Sequence, residues 1–374
     1  MPIDVRRVTT RRDLRRFVAL PGRIHAAHQG WVPPFYADDR RTFDPRRNLA
    51  HRYCDSVLAL ACDGEEIVGR IAGIVNHRYN AAWSLKHARF GYLETIERED
   101  VTAALVRYAE AWARERGMDK MVGPMGFTEE DPEGFLFEGF QHPPNLATYY
   151  NFPFMNGFLE HLGYVKEVDY VVYQVPLATA ITEFYEKAHE RVLRRKDLAL
   201  KEFRTRRELR PYIRPMFQLM NQCFAKIYGY SPLDDEEMDT LANRYLPIVD
   251  PRFIKVAVTS GNTLIGFIIG MPSMADGIRA AHGRLTPLGL LRILWARRRS
   301  RKLDLYLGGV AEDYRGHGVD VLLGYSMIVS AQQAGFTHFD SHHELETNTK
   351  MRAEMEAIGG TVYKRFRIYS RELA

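Results

Sequence analysis

The stretch Leu303-Asp-Leu-Tyr-Leu-Gly-Gly-Val-Ala-Glu-Asp-Tyr-Arg-Gly-His-Gly-Val-Asp320 decides how the rest of the chain is read. Residues 303–311 form an apolar strand, and residues 319–333 carry a helical pattern. The loop between them has glycine at 316 and 318. A strand that runs through such a loop directly into a helix aims backbone N–H groups and the positive end of the helix dipole at one point. The two glycines let an anion approach the main chain, and Arg315 adds positive charge. Residues Gly309, Val310, Arg315, Gly316, His317, Gly318 and Val319 are therefore expected to cradle a pyrophosphate.

Working outward, the same design recurs in the first half. Asp63-Gly-Glu-Glu-Ile-Val-Gly-Arg-Ile-Ala-Gly73 and Ser260-Gly-Asn-Thr-Leu-Ile-Gly-Phe-Ile-Ile-Gly270 both read as a polar turn followed by an apolar strand. Their three glycines fall opposite one another at one constant spacing. A second echo closes each half, His161-Leu-Gly-Tyr-Val-Lys166 against Ala357-Ile-Gly-Gly-Thr-Val362, each with a glycine suited to a left-handed helix cap. Between the echoes, strand Phe90-Gly-Tyr-Leu-Glu-Thr-Ile96 precedes a helix with Val101, Ala104, Leu105, Tyr108 and Trp112 on one face. In the second half, strand Phe336-Thr-His-Phe-Asp340 precedes a helix over 350–357. The expected fold class is α/β with a mixed α+β sheet, in two repeated units spanning 1–178 and 179–374 with a hinge near residues 176–182.

Val310 followed by Arg315-Gly-His-Gly-Val319 resembles the coenzyme A pyrophosphate loop of the GNAT superfamily of acyl-CoA-dependent N-acyltransferases. The family pattern Q/R-x-x-G-x-G/A falls on Arg315, Gly318 and Asp320, the last departing from the small residue expected there. Asn348, Gly359 and residues 362–369 resemble the family's last helix and closing strands. The tyrosine that often follows that asparagine by seven residues, as acid toward the thiolate, is Met355 here; Tyr363 is either a substitute or a packing residue. In the first half, Glu97-Arg-Glu-Asp100 is acidic and lacks glycine. The resemblance thus implies tandem GNAT-like units, of which only the second binds acyl-CoA, as co-substrate and without a metal. The whole chain is also similar to a bacterial family of acyltransferases through Trp31-Val-Pro-Pro34, Gly123-Pro124, Glu138-Gly-Phe140 and Glu346-Thr-Asn348. Some of those relatives are linked to long-chain, sphingoid-type amines. The implied activity is transfer of an acyl group from acyl-CoA to a primary amine, small or lipidic. Two other readings stay open: an aminoacyl-tRNA-dependent ligase, and a non-catalytic ligand-binding or regulatory protein on a decayed GNAT scaffold.

Acyl transfer needs a neutral amine and an oriented thioester. Glu344 and Glu346, in Asp340-Ser-His-His-Glu-Leu-Glu-Thr-Asn348, lie after a strand, where ligands of open α/β sheets gather, and are candidate bases. Asn348 either orients substrate or caps the following helix. His342 and His343, read as strand neighbours, are expected to point apart. The Gly/Pro/aromatic stretch from Gly123 through Phe154 is read either as the wall of an apolar cleft, with Glu138 facing the amine, or as a buried structural loop with Glu138 at a turn. Residues 285–302 combine Leu288, Leu291 and Trp295 with clustered arginine, the composition either of an interfacial helix or of a packed helix with a basic end.

The 374 residues are 46% hydrophobic and 26% charged, which excludes wholesale disorder and suits two domains. A net charge of +5 is too small a surplus to argue for a nucleic-acid partner. Cys54, Cys62 and Cys223 are too few and scattered for a disulfide framework or a zinc site. No apolar run is long enough for a membrane span, and no apolar core follows the N-terminal arginines. The expected location is the cytosol, with peripheral contact at the inner membrane surface left open.

Overall fold

A computed structural model describes residues 2–128, 130–145 and 148–373, and these divide into two compact units, each discontinuous in sequence. Unit 1 takes residues 1–171, 274–296 and 364–374; unit 2 takes 172–273 and 297–363. The single boundary expected at 178/179 is therefore replaced by an interleaved division. Its cause is that the strand closing each half of the sequence contributes residues to the other unit's sheet.

Unit 1 begins with β1 (Asp4–Arg7), α1 (Arg11–Ile24), α2 (Tyr36–Thr42), β2 (Cys54–Asp63) and β3 (Glu66–Asn76). It continues with α3 (His77–Trp83), β4 (His87–Thr95), α4 (Glu99–Arg114), β5 (Lys120–Gly123), β6 (Phe135–Glu138) and α5 (Phe154–His161). β7 (Val165–Pro176) then passes into unit 2, followed by α6 (Glu183–Leu193), β8 (Leu198–Glu202), α7 (Arg206–Phe224), α8 (Asp235–Tyr245), β9 (Ile254–Thr259) and β10 (Leu264–Pro272). After α9 (Ala275–Ala280) and α10 (Pro287–Arg299), unit 2 resumes with β11 (Lys302–Val310), α11 (Val319–Gln333), β12 (His338–Asp340), β13 (Glu344–Leu345) and α12 (Thr349–Ala357). The last strand, β14 (Thr361–Glu372), belongs to unit 1 from Lys364 onward.

The two sheets have one plan. Strands run β1-β2-β3-β4-β5-β14 in unit 1 and β8-β9-β10-β11-β12-β7 in unit 2. Within each order a single pair is parallel, β4 with β5 and β11 with β12. The repeated glycines have a packing reason. A Cβ on Gly69 would lie 2.8 Å from Leu105 and 3.0 Å from Val101 of α4; one on Gly266 would lie 2.8 Å from Val319 and 3.1 Å from Leu323 of α11. Each glycine thus lets its helix press directly on the sheet. Gly163 (φ +83°) and Gly359 (φ +82°) are the matching left-handed residues after α5 and α12.

The cores follow from the same pattern. Val101, Leu105 and Trp112 of α4 pack on Ala59, Ile71 and Phe90, while Phe17 and Leu20 of α1 meet Leu60, Ile74 and Tyr92. In unit 2, Met327 and Ile328 of α11 pack on Leu303 and Phe253, and Leu322 and Leu323 on Ala257 and Ile265. Among the described residues no helix is long and apolar enough to cross a membrane.

Candidate functional site

In unit 2 the strand–loop–helix reading is realised residue by residue. β11 ends at Val310, a short turn covers 312–314, and α11 starts at Val319 with Gly318 as its N-cap in the left-handed region (φ +83°). Gly316 is left-handed too (φ +74°), and no atom lies within 4 Å of the place its Cβ would occupy. At Gly318 a Cβ would fall 2.4 Å from Val192, so a side chain there would disturb the α6 contact as well as the loop. The exposed Arg315 donates from Nε to the Val310 carbonyl (3.1 Å). The same Val310 carbonyl also accepts from Cys223 Sγ of α7 (3.3 Å).

Two residues outside the motif complete the loop. Arg195 donates to the His317 carbonyl (2.9 Å) while pairing with Asp197 (2.6 Å), which places a second guanidinium on the loop. Cys223 lies beneath the strand, 3.1 Å from the position of a Gly309 Cβ. The arginine-rich run around Arg195 reads in sequence as a solvated face, and nothing in its local pattern signals the loop.

Beside the loop the sheet opens. β11 pairs with β12 only over Lys302↔His338, Leu303↔Phe339 and Asp304↔Asp340, so Leu305 to Val310 run beyond the β12 register. On one face of this segment, Leu307 borders an apolar cavity of about 60 Å³ that also touches Met216 and Met220 of α7, Leu246, and Phe267 of β10.

The carboxylates expected after β12 separate into different roles. Glu344, half-buried on β13, has its pKa pushed up to about 8 by burial and, secondarily, by Glu354. Glu354 of α12 is itself raised to about 7 by burial and by a hydrogen bond to Asp320, in the first turn of α11. A protonated Glu354 donating to Asp320 leaves that pair with one negative charge instead of two, which softens the departure at position 320. Glu344 is linked through Glu354 to the start of α11. Glu346 offers its backbone carbonyl to Arg352 (3.0 Å), and Asn348 caps α12 by accepting from the Met351 N–H (3.4 Å). His342 and His343 precede β13 in irregular backbone, and their rings stand 5.0 Å apart instead of diverging. Tyr363 donates to the buried Asp340, which also holds Lys302 (2.7 Å). Glu138 belongs to unit 1, exposed and paired with Arg365 (3.0 Å).

The corresponding opening in unit 1 is filled by the chain itself. β4 and β5 pair only over His87↔Lys120, Ala88↔Met121 and Arg89↔Val122. Beyond that point the Tyr92 N–H donates to Tyr149 Oη (2.7 Å) and the Met125 N–H to the Phe90 carbonyl (2.8 Å). At the start of α4, Arg98 is clamped between Asp63 (2.5 Å) and Asp100 (2.6 Å). The aromatic stretch from Gly123 to Phe154, of which Glu129, Leu146 and Ala147 lie outside the described residues, buries Phe135, Tyr149 and Tyr150 in unit 1.

No family model matches the chain. It is 25% identical over 381 aligned positions to Protein YghO of Escherichia coli K12, covering 99% of this chain and 95% of that one. It is equally similar, at 25%, to the bacterial ceramide synthase of Caulobacter vibrioides, covering 98% and 96%. Among solved structures it superposes on a tandem GNAT protein of the clavulanic acid biosynthesis pathway with a TM-score of 0.57 at 15% identity, covering 100% of this chain and 99% of that one. Two units with one strand plan, each built around a parallel pair that splays beside a strand–helix junction, give the chain the fold of that tandem GNAT protein.

Proposed function

We propose that the protein is an N-acyltransferase that moves an acyl group from acyl-CoA to a primary amine, with a long-chain amine as the acceptor. The observation that carries this reading is the unit 2 opening, where β11 leaves β12 beside a left-handed glycine loop with Arg315 on it and Arg195 against it. The residues fit a pyrophosphate: the uncrowded Gly316 allows close approach, and two guanidiniums flank the start of a helix dipole. Gly316, His317, Gly318 and Val319 would supply the backbone, and the strand edge at 305–310 would receive the pantetheine amides. Acyl-CoA supplies the thioester carbon. The amine nitrogen bonds to that carbon, the carbon–sulfur bond breaks, and Glu344 takes the proton the nitrogen loses. The thiolate leaves and is protonated in turn. Glu344 suits this role better than Glu346 or Asn348, because its carboxyl titrates near neutral pH and the other two serve the α12 start.

The apolar cavity beside Leu307 offers room for methylenes of an acyl chain. The relative named bacterial ceramide synthase supports a lipidic acceptor. So does α10, whose Leu288, Leu291 and Trp295 are each more than half exposed and whose Arg298 is exposed at its basic end, a composition that suits an anionic membrane surface.

Calorimetric titration with acyl-CoA, followed by mass spectrometry of products from a long-chain amine and from spermidine, tests the proposal. Wild type should bind acyl-CoA and acylate the long-chain amine preferentially. Arg315→Glu should weaken binding at least tenfold, the scale of one lost charge-assisted contact of about 1.5 kcal/mol. Unchanged binding would overturn the site assignment, and equal use of spermidine would overturn the lipid acceptor.

A further inference from the structure

Trp31 and Pro33, from one of the signature stretches, have no role in unit 2. They line a cavity of about 1110 Å³ that lies wholly within unit 1, at the upper end of the size range of ligand pockets. Among the described residues five arginines border it and no carboxylate does. Arg23 reaches Glu66 (3.4 Å) and Arg279 is bonded to Asp276. Arg15, Arg40 and Arg284 form no ion pair among the described residues. Three uncompensated guanidiniums around one concavity repel each other, and an anion bound there relieves that repulsion.

The cavity also meets a buried relay. His25, whose side chain is fully buried, places Nε2 2.8 Å from Glu94 Oε2 and Nδ1 3.1 Å from Nδ1 of His28. The Glu94 carboxylate accepts from His25 Nε2, and the two facing Nδ1 atoms of His25 and His28 share one proton. His28, which lines the cavity, has its Nδ1 engaged by His25 and keeps Nε2 for a ligand. Burial, and secondarily the neighbouring His25, hold its pKa below the ordinary imidazole value. Trp31 and Phe152 stack on His25 with ring centroids 4.9 and 4.7 Å away, fixing the ring plane. The rim continues through Leu285 onto the exposed leucines of α10.

We propose that this unit 1 cavity binds a single-chain lipid whose head carries an anionic group beside a hydroxyl. The free arginines hold the anion, His28 Nε2 hydrogen-bonds to the hydroxyl, and the chain leaves over Leu285 along α10. This site is separate from the acyl-transfer reading and stands or falls without it.

The test is calorimetric titration of the full chain with a lysophosphatidic acid of eight carbons, kept below its micelle concentration. Octyl phosphate, which lacks the hydroxyl, and inorganic phosphate serve as comparators. Wild type should bind the lysophosphatidic acid saturably, prefer it at least threefold over octyl phosphate, and bind inorganic phosphate far more weakly. Arg40→Glu with Arg284→Glu should weaken binding at least tenfold. His28→Phe should bind both lipids equally. Thermal melts check each fold, and the milder Arg40→Gln with Arg284→Gln replaces the reversal if that variant unfolds. Absent saturation, indifference to the arginines, a preference that survives His28→Phe, or equal binding of inorganic phosphate would each overturn the proposal. Acyl-CoA titrated separately reports on unit 2, so a failure there leaves this result readable.

Discussion

Glu344, the base proposed above, shows how far surroundings can shift one side chain. An exposed glutamate is ionised throughout the neutral range, a weak base at pH 7. Burial, with Glu354 close by, raises the Glu344 carboxyl to about 8. A base acts in its ionised form, so kcat/KM for amine acylation should climb as pH rises through about 8. Glu344→Gln should flatten that limb and lower the rate by 10²–10⁴, the usual worth of a positioned base. A pH–rate profile of both proteins checks it; an unchanged limb in the variant would assign the proton to another group. Gly318 carries the opposite lesson. Its replacement would strike Val192 before any ligand was involved, so loop function is better probed at the exposed Arg315.

Among the elements, α4 and α11 are counterparts with different starts. α11 opens from Gly318, whereas α4 opens from Arg98 locked by Asp63 and Asp100. Arg98→Glu should therefore leave acyl-CoA affinity within about threefold, or roughly 0.7 kcal/mol, by calorimetry; a larger loss would move the cofactor to unit 1. The contrast also marks what was legible in sequence. Residues 303–333 read correctly as strand, glycine loop and helix because every determinant is local, and the glycine echoes survived because each helix presses on its strand at the same place. Arg195 and Cys223 reach the loop from other elements, and no spacing rule predicts such contacts. The histidine pair was misread because the segment after Asp340 leaves the sheet before alternation can separate the rings. The blocking of the unit 1 opening by Tyr149 was hidden for the same reason: it joins residues far apart in the chain.

At the scale of the molecule, the interleaving of the units makes the C-terminal strand a structural part of the N-terminal half. Arg367 makes a two-pronged pair with Asp169 (2.8 and 2.9 Å), Tyr369 donates to Asn156 (3.0 Å), and residues 369–372 pair with β5. Truncation after Tyr363 should strip hydrogen-exchange protection from β1–β5 far more than from β8–β11, and peptide-resolved exchange would show it. Equal loss in both units would mean that they unfold as one. The arrangement also sets an order of events in the cell. A ribosome releases the N-terminal half first, yet that half lacks its closing strand until all of unit 2 has been translated. Unit 1 must wait with an open sheet edge, the kind of exposed surface that invites wrong partners. Of the two units the one begun earlier is thus the last to be completed, and a frameshift just before codon 364 would be felt first among residues 1–171.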